Sequence, residues 1–77
     1  MISERLKSIV LRELNLEDYP LEDAMTANQV PGWDSLKHVA ILAAIEEEYK
    51  IRLRTLEVVR LKTVGELQNL INKKVGL

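Results

Sequence analysis

The sequence predicts an all-α domain, a small four-helix bundle with a long first loop and a short third helix. Three observations carry that prediction. Apolar residues recur at helical intervals near both ends of the chain. Residues 36–49 form a more continuously apolar helix between them. Ser, Asp and Thr stand where helix caps belong.

Ser3 is the expected N-cap of a first helix reaching about Leu14, with Glu4 near its positive end. Its inward stripe is Ile2, Leu6, Ile9, Val10 and Leu14, while Leu11 lies off the stripe and should face a neighbouring element. Residues 15–33 form a long connection broken by Pro20, Pro31 and Gly32. Leu16, Leu21, Met25, Val30 and Trp33 are spaced to fold this loop back onto a core. The second helix starts at Asp34 or Ser35. Between Leu36 and Ile45 only Lys37 and His38 are polar, which predicts a central helix touching several neighbours. Glu46 and Glu48 precede Lys50 and Arg52 by four residues, the favourable order for helical ion pairs. A short helix over residues 56–61, capped by Thr55, follows. Thr63 and Glu66 then read as a capping box opening a last helix to about Lys74. Its inner positions are Val64, Leu67, Leu70 and Ile71, and Gly76 follows its C-terminal end.

Composition bounds the function. Residues 1–77 read as one domain, and a chain so short buries only about 60–65% of its unfolded surface. Its 26 Leu, Ile and Val residues suffice for a helical core without a staple. Cysteine is absent, which excludes a disulfide framework, a thiolate nucleophile and a Cys-based metal site. With one His, a transition-metal site is not expected. Eleven basic and twelve acidic residues supply no excess for gripping nucleic acid. The longest apolar run, residues 39–45, is far short of the ~18–20 residues that span a bilayer, so no membrane insertion is expected. No secretory pattern opens the sequence, and a cytoplasmic protein is expected.

The chemistry concentrates at Asp34-Ser35-Leu36. A serine at a helix mouth has free backbone N–H groups and the positive end of the macrodipole beside it. Both favour negative charge, so the position suits a phosphodiester. With Asp34 as cap, the Ser35 hydroxyl stays free to point outward. The run V-P-G-W-D-S-L-K-H-V-A-I-L-A-A-I-E-E-E-Y (30–49), together with the T-V-G-E-L start of the last helix, resembles the acyl carrier protein family. G-W rather than G-G ahead of D-S-L favours an acyl over a peptidyl carrier.

That resemblance implies a non-catalytic carrier, acting as a monomer. It implies 4′-phosphopantetheine esterified to Ser35 by a phosphopantetheinyl transferase, with acyl groups held as thioesters on the arm. Asp34 would engage the transferase and its metal, and Leu36 would be its apolar anchor. Lys37, Val39, Glu46 and Glu47 join them on the surface that meets acyl-ligase, acyltransferase or ketosynthase-type enzymes. Val39, Leu42, Leu61 and Val64 are candidates to line a space for the acyl chain. Family members often carry acids where this chain has Lys37 and Ala40, and Lys50, Arg52 and Arg54 add further positive charge. A specialised lipid or secondary-metabolite pathway is therefore expected.

Other readings fare worse. Ser35, His38 and Asp34 lie too close on one helix to form an oriented triad, and no oxyanion-hole motif accompanies them; His38 is read as a solvated surface residue. Glu46, Glu47 and Glu48 point about 100° apart and do not converge on a metal. A helix-turn-helix DNA binder would need a basic reading helix, and the central helix is too apolar. An unmodified helical adaptor, using the same surface for protein partners, is the main alternative.

Overall fold

The computed structural model describes residues 2–76. These fold into four α-helices, α1 (Glu4–Leu14), α2 (Ser35–Tyr49), α3 (Thr55–Val59) and α4 (Val64–Val75). No strand occurs among the described residues, and no helix there is long and apolar enough to cross a membrane.

Local signals set most of the boundaries. Ser3 Oγ accepts the Leu6 N–H over 3.2 Å, and Thr63 Oγ1 accepts the Glu66 N–H over 3.2 Å. Asn15 and Lys50 adopt the left-handed conformation at the ends of α1 and α2. The Ile51 N–H then reaches back to the Glu46 carbonyl, closing the C-terminus of α2. This ending removes the expected Glu46–Lys50 and Glu48–Arg52 pairs, because the chain leaves helical geometry at Lys50. Glu46 Oε2 instead accepts the Leu53 N–H over 2.8 Å. Glu48 binds Arg5 Nε over 3.1 Å, and the Arg5 guanidinium lies 4.4 Å from the centre of the Tyr49 ring. These contacts fasten the end of α2 to the start of α1.

The third helix is shifted from its expected position. It spans Thr55–Val59 with Arg54, not Thr55, at the N-cap, because Glu57 accepts the Arg54 N–H over 3.1 Å. A 3₁₀ turn at Ala27–Gln29 interrupts the long connection, anchored by the Thr26 N–H donating to Gln29 Oε1 over 2.9 Å.

The core joins Leu6, Ile9, Val10 and Leu14 of α1 to Ile41 and Ile45 of α2 and Val64, Leu67 and Ile71 of α4. Val30 and Trp33 of the loop enter it, and Leu16, Tyr19, Leu21 and Met25 pack against it. Leu11 is buried off the main stripe, as its position suggested. Leu70 is only half-buried, whereas Gln68 is buried and accepts the Ser3 N–H over 2.9 Å. Burial of a polar residue is tolerable because both ends of its amide are bonded, the NH₂ to Asn72 over 2.8 Å.

α2 is less enclosed than its composition predicts. Only Ile41 and Ile45 are fully buried, and Leu36 and Val39 are 78% and 65% exposed. The apolar surplus of this helix therefore faces outward.

Candidate functional site

The site grows from a turn. Pro31 and Gly32 occupy its centre, the Trp33 N–H returns to the Val30 carbonyl over 3.2 Å, and Gly32 has φ +81°. Pro sets the first central φ and Gly accepts the positive second one, so the P-G pair is a steric requirement of the turn. Trp33 drops into the core and leaves Asp34 at the surface to start α2.

Asp34 Oδ1 accepts the Lys37 N–H over 2.8 Å, which makes Asp34 the cap. Ser35 is the first helical residue, exposed, and its hydroxyl is engaged by no hydrogen bond among the described residues. The division of labour between the two residues is the one their order suggests. A group esterified to Ser35 Oγ would project into solvent with backbone N–H groups of the first turn nearby. The local geometry therefore fits a phosphodiester without displacing any existing bond.

His38 is not simply solvated. It is half-buried, and its Nδ1 accepts the Trp33 indole N–H over 3.0 Å. With Nδ1 as acceptor, the neutral ring carries its proton on Nε2. The Asp34 carboxylate is engaged at the Lys37 N–H rather than at the imidazole. The orienting bond of a hydrolytic triad is thus replaced by a tryptophan bond.

Of the remaining site residues, Leu36, Val39, Glu46 and Glu47 share one side of α2, and Lys37, about 160° around the helix from Val39, points away from it. Leu36, Lys37, Val39 and Glu47 are exposed on α2, and Glu46 is half-buried by its bond to the α2–α3 connection. The four acyl-pocket candidates do not share one space. Leu61 and Val64 line a pocket of about 40 Å³ with Trp33, His38 and Leu67. Val39 and Leu42 line a more open groove of about 270 Å³ with Val58 and Val59 of α3. Sequence spacing offered no means to separate these cavities, because α3 lines only the groove and its position is set by tertiary packing. The Trp33–His38 bond was likewise missed, since their five-residue separation straddles the helix start.

No family model matches the chain. Over 75 residues it is 31% identical to an acyl carrier protein of Thermosynechococcus vestitus, covering 97% of this chain and 93% of that protein. It is 30% identical over 73 residues to an acyl carrier protein of Buchnera aphidicola subsp. Acyrthosiphon pisum, covering 95% and 91%. The solution NMR structure of a holo acyl carrier protein from Geobacter metallireducens matches with a TM-score of 0.89 and 32% identity, over 95% of this chain and 84% of that one. These likenesses support a non-catalytic helical carrier. With likeness running through nearly the whole length of both chains, this chain belongs to the acyl carrier protein family.

Proposed function

We propose that Ser35 carries a 4′-phosphopantetheine arm and that the protein shuttles acyl groups held on it as thioesters. The single observation that carries this reading is the free, exposed Ser35 hydroxyl beside an aspartate that does the capping. Attachment joins Ser35 Oγ to the phosphate of the pantetheine half of coenzyme A. The serine proton is lost and the adenosine bisphosphate half departs. The bound arm supplies a terminal thiol. The protein residues hold the attachment point at a rigid helix start, and tethering raises the effective concentration of the acyl group at a partner's active site.

Asp34 engages the phosphopantetheinyl transferase and its metal, while exposed Leu36 and Val39 supply apolar anchoring. Lys37, Glu46 and Glu47 shape recognition by acyl-ligase, acyltransferase or ketosynthase-type partners. Lys37 and Ala40 stand where general fatty acid carriers often carry acids, which supports a dedicated lipid or secondary-metabolite pathway. For the cargo, the pocket between Trp33, Leu61 and Val64 is small, about 40 Å³ against about 270 Å³ for the groove of Val39 and Leu42. A long acyl chain has to part Leu61 from Val64 or lie in the groove of Val39 and Leu42.

Intact mass after incubation with coenzyme A and a broad-specificity transferase tests the attachment. The protein should gain one phosphopantetheine and Ser35→Ala none. Labelling that survives in the alanine variant rules out this site. Failure with several transferases favours the unmodified adaptor.

A further inference from the structure

Charge is segregated along this chain. Residues 1–34 hold seven acids against three bases, whereas residues 50–62 hold five bases against one acid. That one acid, Glu57, is already engaged. Lys74 Nζ lies 2.7 Å from its Oε1, and the Arg54 N–H donates to the same oxygen over 3.1 Å. Arg52, Arg54, Arg60 and Lys62 are exposed and form no ion pair among the described residues, and the same holds for Lys37 on the first turn of α2. Arg54 and Arg60 cap the two ends of α3, so their charges flank whatever that helix presents.

α3 presents an apolar surface. Leu56 is 73% and Val59 68% exposed, facing solvent as Leu36 and Val39 do on α2. Val39 and Leu42 meet Val58 and Val59 in the groove between the two helices. Beside it, Glu46, Glu47, Arg52 and Arg54 line a wider depression. Exposed apolar side chains bordered by charge mark a place where another surface is buried. The mixture of signs selects the kind of surface. Phosphates of an anionic membrane or a nucleic acid would meet Glu46 and Glu47 together with the arginines, and those carboxylates would repel them. A protein can offer either sign at each position.

We propose that the α2–α3 face docks a protein that inserts an apolar side chain between Val39 and Val59 and sets carboxylates against Arg54 and Arg60. This deepens the carrier reading by assigning its partners an acidic contact surface. Such a surface is matched to this chain by Coulomb attraction that steers encounter and weakens with salt.

The test uses an acyltransferase whose carrier-contact face carries lysines and arginines, and the same enzyme with those residues reversed to glutamate. Self-acylation from a small-molecule donor verifies that both forms are active. Acyl transfer to the arm-bearing wild-type chain is measured at low and high ionic strength. We expect kcat/KM to favour the glutamate form by about tenfold at low salt, with the ratio collapsing as salt rises. Arg54→Glu/Arg60→Glu should reverse the preference. Equal rates on both enzyme forms, or preference for the basic one, would overturn the proposal. Binding of the Ser35→Ala chain to each form by calorimetry reads docking without the arm. Failure to load Ser35 then counts against the carrier reading alone, and loss of the calorimetric preference against this one. Sedimentation of the wild-type chain with phosphatidylglycerol vesicles, abolished by Arg54→Glu/Arg60→Glu, would overturn the proposal in favour of a lipid surface.

Discussion

The indole N–H of Trp33 donates to Nδ1 of His38 across 3.0 Å, with the two rings 6.1 Å apart and tilted by 36°. The bond joins the turn ahead of α2 to the first turn of the helix, on either side of Ser35. It therefore fixes the angle at which the chain enters the helix that mounts the proposed arm. A double-mutant cycle with Trp33→Phe and His38→Ala should give a coupling of about 0.5–1.5 kcal/mol, the usual net worth of such a bond. Urea denaturation of the four proteins measures it. Additive losses would show that the bond contributes nothing beyond packing.

Asp34 can be separated into cap and charge. Asp34→Ala removes the acceptor of the Lys37 N–H and should cost about 0.5–2 kcal/mol. Asn caps as well as Asp, so Asp34→Asn should lie within about 1 kcal/mol of wild type. If the carboxylate also engages the transferase metal, the Asn variant will load phosphopantetheine more slowly despite its retained stability. Thermal melts paired with a time course of intact mass decide between the two roles.

Gly65 has no room for a side chain. A Cβ there would stand 2.9 Å from Asp23 Cβ and 3.0 Å from its carbonyl oxygen, while the Gly65 N–H donates to that same oxygen over 3.0 Å. Gly65→Ala gains up to about 1 kcal/mol of helix propensity but overpacks the contact at a cost of about 1–3 kcal/mol. A net loss in urea denaturation is expected. An unchanged midpoint would mean that the loop retreats from α4 without penalty.

Stability should carry an acid-sensitive component from Glu57. The Lys74 ammonium beside it, helped by the Arg54 N–H, holds its carboxyl below the usual glutamate value of 4.5. A lowered value in the folded state contributes stability above the unfolded value and loses it as pH falls through the folded one. Wild type should therefore exceed Glu57→Gln in melting temperature at neutral pH, and the margin should shrink as pH drops below about 4.5. Added salt should narrow the neutral-pH margin as well. A margin independent of both pH and salt would assign the effect to packing instead.

Local chemistry made much of this protein legible in one dimension. Ser3, Thr63 with Glu66, and Asp34 ahead of a free Ser35 are contacts spanning three or four residues, and residue type and spacing settle such contacts directly. The free Ser35 hydroxyl was readable for the same reason, whereas its proposed role as attachment point comes from the family resemblance. Tertiary structure decided what those helices meet. Glu48 binds Arg5 rather than Arg52, Gln68 is buried against Ser3, and Glu57 reaches Lys74. Packing also left Leu36 and Val39 outside the core and put the candidate cargo residues into two cavities. An apolar period states that a helix has a face to bury. The position and angle of neighbouring helices, which depend on all the side chains packed between them, determine how much of that face is covered.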